Sequence, residues 1–448
     1  METTTTFTEG RIARPLIKFA LPVLLAMCLQ SLYGAVDLLV VGQFGTAADV
    51  SAVATGSQIM QMVTVLFTGL AMGTTILLGQ TMGSGKKADA GKIIGSGICF
   101  FLALAVCVTL VMLLLGVPFA RLMQTPQEAF DKTLSYVRIC SCGIVFIVAY
   151  IVLGSIFRGI GDSRTPLITV AIACVFNVAG DLFFVAGLHL QASGAALATV
   201  MAQAFSVIIS IQIIRKNGLP FPFSKEDIRF DPSRIRHMVK IGFPIALQDC
   251  LVTLSFLVIN SIVNRLGVIF SAGVGVAEKV CAFIMLVPSS FSQSLSAFVA
   301  QNFGAGKYVR ARKSMECGML LSIVAGVILA YLAYFHGGNL AAIFTKDESV
   351  IAAAADYMKA YAIDTLLVSF LFCFIGYFNG CGKTTFVMLQ GLVGAFGIRI
   401  PVSYFMSQGE NTNLFRIGLA TPASTTIQIA ICGIYLYIVL KKQPKLRI

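Results

Sequence analysis

Long apolar segments dominate the chain, and short polar links separate them. An apolar segment of about 20 residues crosses the hydrocarbon core of a bilayer as an α-helix, because each helical residue rises about 1.5 Å. The pattern therefore predicts an all-α membrane protein. We expect twelve transmembrane helices, at about 15–40, 51–78, 93–117, 133–157, 166–187, 193–214, 239–264, 270–298, 314–336, 353–378, 386–407 and 415–440.

The second half of the sequence echoes the first. The motif Q-T-M-G-S-G-K at 80–86 returns as Q-N-F-G-A-G-K at 301–307, and Pro22 has a counterpart in Pro244. Six helices in each half is an even number, so the second half enters the membrane in the same orientation as the first. We therefore expect two parallel repeats. The predicted domains are an N-terminal six-helix lobe (1–218), a cytoplasmic linker (219–237) and a C-terminal six-helix lobe (238–448).

Composition and charge support this interpretation. Hydrophobic residues make up 57% of the chain and charged residues 12%, against roughly 25% charged in globular domains, which excludes a soluble protein. Most of the 33 Lys and Arg residues lie near the two ends, in the 215–240 stretch and in the links after even-numbered spans. By the positive-inside rule, both termini and the linker are cytoplasmic in a multi-pass protein of the cell membrane. The net charge of +13 thus sets orientation beside the lipid bilayer and does not indicate nucleic-acid binding.

Two aspartates fall inside predicted spans, Asp37 in the first and Asp181 in the fifth. Ionisable residues are costly there, so by default they face a cavity or a partner. Asn177 and Asp181 share one helix face because they are four residues apart. Counting the helical rise places Thr199 of the sixth span at a similar depth. Two interpretations stay open: a site that loads a proton or a Na⁺ ion, and a hydrogen-bonded cluster that only joins helices.

Further polar residues are candidates for a substrate cavity. Gln30 and Tyr33 share the helix face of Asp37, and Gln58 and Gln61 lie on the second span. Packing against a neighbouring helix is the alternative for each of them.

Arg399 lies deep in the eleventh predicted span. It could bind an anionic group of a substrate, or it could pair with an acid such as Asp364 or Asp249. Pro22 and Pro244 remove backbone hydrogen bonds inside the first and seventh spans, which predicts a bend in each. Each proline is either a hinge used in gating or a mark of the helix start.

The sequence contains no arrangement typical of an enzyme. The segment G-C-G-K-T at 380–384 resembles a phosphate loop, but the position that requires glycine holds Tyr377. No Cys or His spacing predicts a metal site, and no nucleophile–base pair is evident inside the spans. We therefore expect no enzymatic activity, no cofactor and no use of ATP. An inert membrane scaffold is the alternative from another class of protein.

Several motifs occur in a fixed order: Pro22 with Asp37, Q-x-x-G-x-G-K at 80–86, R-G-x-G-D at 158–162, N-x-x-x-D at 177–181, G-A-A-x-A-T at 194–199, and Q-N-F-G-A-G at 301–306. In this order they resemble the multidrug and toxic compound extrusion (MATE) transporters, of the DinF-like branch, over essentially the whole chain. The resemblance implies two six-helix lobes in a V shape, a central cavity, and export driven by inward proton or sodium flow. It also implies that the ion-binding residues are Asp37, Asn177, Asp181 and Thr199.

The sequence departs from family members that use acids on the seventh and tenth helices, because the matching positions hold Val252 and Val368. This favours a cation site in the N-terminal lobe. We expect a monomeric antiporter, coupled to H⁺ or Na⁺, that exports small amphipathic cationic compounds. The alternative is a flippase for lipid-linked sugar precursors, which would need several cavity arginines where only Arg399 is a candidate.

Overall fold

The computed structural model describes residues 7–408 and 413–442, which form helices and no β-strand. Within these ranges, eleven helices are long and apolar enough to span a membrane, and the two segments of α4 make a twelfth when they are counted as one bent span. In chain order the spans are α1 (Ala13–Phe44), α2 (Ala47–Gly83), α3 (Lys87–Leu122), α4 (Gln127–Cys142 and Ile144–Ile160), α5 (Arg164–Gly187), α6 (Gln191–Asn217), α7 (Pro232–Asn264), α8 (Val268–Gly304), α9 (Tyr308–Phe335), α10 (Glu348–Gly380), α11 (Thr384–Met406) and α12 (Leu414–Lys442). The two chain ends, predicted to be cytoplasmic, include residues outside the described ranges.

Three spans are irregular. The two segments of α4 meet at Gly143 with a bend of 53°. A Cβ atom at Gly143 would lie 2.4 Å from the side chain of Val200, so glycine allows α6 to pack closely at the bend. The last turns of α5, Leu182–Gly187, and the middle of α11, Val393–Arg399, are π-helical. Such wide turns are rare and frequently occur at functional sites.

The chain forms two compact units. The N-terminal unit contains Leu21–Ala246, and the C-terminal unit contains Phe7–Ala20 together with the described residues from Leu247 onward. The division within α1 therefore falls just before Pro22, and the division within α7 falls just after Pro244. Both helices run without a break through their proline. The hinge roles of the two prolines and the lobe boundaries at 218 and 238 stay predictions.

Within the N-terminal unit, α2 and α7 pack backbone against backbone. A Cβ atom at Gly73 would lie 2.5 Å from the carbonyl oxygen of Met238, and one at Gly242 would lie 2.4 Å from that of Leu70. Small residues at such a crossing let two helices approach until their backbones touch. The glycines of this crossing are therefore required by packing and not by backbone conformation.

In the C-terminal unit, residues 7–10 fix the start of α1. The fully buried ring of Phe7 packs on Phe19 and Phe298, with ring centroids 5.0 and 4.7 Å away. Arg310 of α9 donates hydrogen bonds of 2.7–2.9 Å to three carbonyl oxygens of this segment. The helix that carries Asp37 is thus anchored at its beginning.

Glycine turns end two of the spans, and one of them lies in the segment at 380–384 that resembles part of a phosphate loop. Gly161 and Gly382 follow the ends of α4 and α10, with φ angles of 88° and 74°. Glycine adopts this left-handed conformation at little cost, and it commonly ends helices in this way. Both segments are therefore helix-ending turns.

Candidate cation-binding site

Three helices of the N-terminal unit bring four predicted site residues together. Asp37 comes from α1, Asn177 and Asp181 from α5, and Thr199 from α6. The hydroxyl group of Thr199 donates to Oδ2 of Asp37 over 3.2 Å. The side chains of Asn177 and Asp181 lie close enough to the Asp37 carboxyl group to interact with it electrostatically. We refer to these four residues as the α1–α5–α6 cluster.

Local sequence explains how α5 and α6 hold the cluster. The four-residue spacing places Asn177 and Asp181 on one face of α5, and both side chains are almost fully buried. Asp181 is the last residue before the π-helical turn. A Cβ atom at Gly180 would lie only 3.0 Å from the side chain of Ala198, so small residues let the two helices approach closely. This close contact brings Thr199 beside the acids.

The cluster contains several polar atoms whose hydrogen-bonding capacity is unused. The exposed fractions of Asp37, Asn177 and Asp181 are 5%, 1% and 0%. Among the described residues, no hydrogen-bond partner reaches Oδ1 of Asp37, either side-chain polar atom of Asn177, or either carboxylate oxygen of Asp181. Buried polar groups of this kind are costly unless something satisfies them.

The charge of the cluster indicates what could satisfy these atoms. Two carboxyl groups lie together, and no ion pair of the described chain includes Asp37 or Asp181. Two carboxylates sharing one site cannot both remain ionised without a compensating positive charge. The same group offers carboxylate, amide and hydroxyl oxygens, which are the ligands of hard cations. A proton or a Na⁺ ion would therefore neutralise one of the two negative charges and use part of the free capacity of the oxygen atoms.

A small cavity adjoins the cluster. Its volume of about 10 Å³ is on the scale needed for one water molecule. Polar groups of three predicted residues line it, namely Tyr33, Asn177 and Thr199. The cavity thus lies beside Tyr33 of α1 and two residues of the cluster.

Two polar residues that line the cavity were not predicted from the sequence. Tyr150 of α4 accepts a hydrogen bond from the amide of Gln30, and Gln203 of α6 interacts with the hydroxyl group of Tyr33. Gln203 could have been found, because it lies four residues after Thr199 on the same helix face. No sequence feature indicates that Tyr150 lines the cavity, because its position depends on how α4 packs against α1.

The remaining predicted cavity residues lie elsewhere. Gln58 and Gln61 have exposed side chains on α2, and they do not line this cavity. Arg399 lies in the C-terminal unit, in the π-helical part of α11, with an exposed fraction of 7%. It donates to the hydroxyl group of Ser255 over 3.3 Å. Contact of these residues with a substrate stays a prediction.

Comparison with known proteins agrees with the repeated architecture. The family model MatE matches residues 22–183 and again residues 244–405. The chain is similar to the probable multidrug resistance protein YoeA of Bacillus subtilis (strain 168), with 24% identity over 438 residues, covering 96% of this chain and 95% of that protein. It is also similar to the multidrug export protein MepA of Staphylococcus saprophyticus, with 22% identity over 406 residues, 90% of this chain and 88% of that protein.

Solved structures share the fold. A multidrug resistance MATE family transporter of the MOP superfamily, in an outward-facing conformation, matches with a TM-score of 0.92 at 17% identity, over 99% of this chain and 100% of that chain. A crystal structure of MATE in the straight conformation matches with the same TM-score at 16% identity, again over 99% of this chain and 100% of that chain. Two family-model matches cover more than half of the sequence, and they fall in both repeats. The protein therefore belongs to the MatE family, whose members are membrane transporters and not enzymes.

Proposed function

We propose that this protein is a cation-coupled antiporter that exports amphipathic, cationic organic compounds across the cytoplasmic membrane. The names of the relatives YoeA and MepA, a probable multidrug resistance protein and a multidrug export protein, support drug export. The main support for coupling to a cation is the α1–α5–α6 cluster, which has two buried carboxyl groups and unused hydrogen-bonding capacity. We assign the coupling-ion site to Asp37, Asn177, Asp181 and Thr199.

Coupling requires that the cation and the substrate exclude each other. When a proton or Na⁺ ion enters the cluster, it neutralises charge that would otherwise attract a cationic substrate. When the substrate occupies the N-terminal unit, it lowers the affinity of the cluster for the cation, because linkage between two ligands is reciprocal. Exchange of one monovalent cationic substrate for one coupling cation moves no net charge, so the concentration gradient of the coupling cation drives export. A tenfold gradient of that cation yields about 1.4 kcal/mol, which sustains roughly a tenfold substrate gradient.

The remaining features of the proposal follow from the sequence. We infer that the protein acts as a monomer, that both termini are cytoplasmic, and that ATP is not used. The paired acids of the N-terminal unit support membership of the DinF-like branch. Gln30 and Tyr33 are the substrate-contacting residues that lie nearest to the cluster, through Tyr150 and the small cavity.

Transport into sealed proteoliposomes tests this function. The purified protein is reconstituted, and uptake of a fluorescent amphipathic cation such as ethidium is followed under a pH gradient alone or a Na⁺ gradient alone. We expect one of the two gradients to accelerate transport, in the direction opposite to the cation flow. Equal rates under either gradient and under no gradient would show that transport is not coupled to these cations.

A further inference from the structure

The C-terminal unit also has a buried charged group, with a different composition. Asp364 of α10 is 1% exposed, and its Oδ1 atom accepts a hydrogen bond of 2.6 Å from the hydroxyl group of Thr425 on α12. Arg399 of α11 lies over the ring of Phe256, with its guanidinium carbon 4.6 Å from the ring centroid. Asp364 and Arg399 interact electrostatically, but in the described chain they do not form a contact ion pair.

The internal repeat relates this group to the α1–α5–α6 cluster. The motif at 80–86 recurs after 221 residues, whereas the two MatE matches begin at 22 and 244 and end at 183 and 405, so the ends of the matches are related by an offset of 222 residues. At this offset, the positions of Asp37, Asn177, Asp181 and Thr199 are taken by Ile259, Arg399, Ser403 and Thr421. At the matching positions, the C-terminal unit therefore has neither acid of the cluster, and it has a guanidinium group instead.

The surroundings of Arg399 show how this charge is held. Arg399 donates to Ser255, which lies one helical turn before Ile259 on α7. Its Nε atom has no hydrogen-bond partner among the described residues, and neither does the buried hydroxyl group of Ser403 one turn later. The guanidinium is thus bound weakly by neutral groups, and Asp364 provides its compensating charge. An arginine guanidinium carries a positive charge in proteins.

We propose that Arg399 is a tethered cation, which takes in the C-terminal unit the place that the coupling cation takes in the α1–α5–α6 cluster. The C-terminal unit then keeps Asp364 compensated throughout the transport cycle and loads no ion of its own. The inference rests on the proposed function, since it assigns all coupling to the N-terminal unit. It identifies Arg399 as the residue that prevents Asp364 from loading a cation.

Cation binding by purified variants tests the proposal. In a background that carries Asp37→Asn and Asp181→Asn, binding of radioactive Na⁺ and proton uptake on acidification are measured. We expect no bound cation in this background. Adding Arg399→Met is expected to create one new site per chain, occupied by Na⁺ or by a proton at Asp364. A further Asp364→Asn change is expected to remove that site. The matched control Arg399→Lys keeps the tethered charge, so it should bind no cation.

Two results would overturn the proposal. One is cation binding in the Asp37→Asn, Asp181→Asn background while Arg399 is intact, if that binding is lost on Asp364→Asn. The other is a folded Arg399→Met variant that gains no site. If the wild-type protein bound no cation, the proposed function would be contradicted. The role of Arg399 would then be decided by whether the Arg399→Met change creates a cation site.

A stability measurement keeps the proposal testable if Arg399→Met folds poorly. Each of Arg399→Met and Asp364→Asn leaves one buried charge without compensation, so each should lower the melting temperature Tm. The double variant is electrically neutral at this position, and we expect its Tm to lie above that of Arg399→Met. Additive losses would show that the two charges are not coupled, and they would equally overturn the proposal.

Discussion

Replacing Asp37 with asparagine is expected to abolish cation-driven transport while leaving the protein folded. The amide keeps the size of the side chain and can still bond to Thr199, but the cluster loses one of its two negative charges. The single remaining carboxyl group, at Asp181, is expected to bind a proton or Na⁺ far more weakly than the pair. Repulsion between two nearby carboxylates raises their affinity for a cation, and the variant lacks this repulsion. We expect gradient-driven flux to fall to the level of protein-free vesicles.

The measurement is flux in proteoliposomes at matched amounts of reconstituted protein. Asp181→Asn should reproduce the loss, because both carboxyl groups belong to one site. The matched control is Asp89→Asn on α3, which changes a partly exposed acid that pairs with Arg234 and should leave flux nearly unchanged. If the Asp37→Asn variant kept full cation-driven flux, the cluster would not be required for coupling.

The substitution Gly73→Ala is expected to cause one of the largest losses of stability. The added Cβ atom would lie 2.5 Å from the carbonyl oxygen of Met238, and a backbone atom in a helix cannot move aside as a side chain can. Overpacking of this kind typically costs about 1–3 kcal/mol, and we expect the upper end of this range because two helix backbones must separate. The melting temperature and the yield of monodisperse protein should both fall.

The control for this prediction is Gly433→Ala. Gly433 also lies inside a membrane-spanning helix, α12, but a Cβ atom there would meet nothing within 4 Å. Because alanine has the higher helix propensity, this change should be neutral or slightly stabilising. If Gly73→Ala melted at the same temperature as Gly433→Ala, the backbone contact between α2 and α7 would not contribute to stability.

Most of the architecture could be predicted from the sequence. The length and spacing of apolar segments predict twelve spans, and the returning Q-x-x-G-x-G-K motif with Pro22 and Pro244 predicts two repeats. Both predictions depend on the bilayer, which requires continuous helices of nearly fixed length. The bend at Gly143 could not be predicted, because glycine is common in membrane helices and only contact with Val200 distinguishes this one. The π-helical turns also left no sequence signal, since they do not change the apolar pattern.

The grouping of the four cluster residues followed from simple geometry. The i, i+4 spacing of Asn177 and Asp181 fixed one face of α5, and counting the helical rise placed Asp37 and Thr199 at a similar depth. Tyr150 could not be assigned in this way, because its place beside the cavity depends on how α4 packs against α1. Likewise, the sequence contains no signal for the packing of residues 7–20 with the later half of the chain.

Competition between substrate and cation tests the central claim most directly. Ethidium binding to the purified protein is titrated at a series of pH values and Na⁺ concentrations, for the wild type and for the Asp37→Asn, Asp181→Asn variant. We expect the apparent Kd of the wild type to rise nearly in proportion to the concentration of the coupling cation, and the Kd of the variant to stay constant. A wild-type Kd that is independent of both pH and Na⁺ would contradict the account.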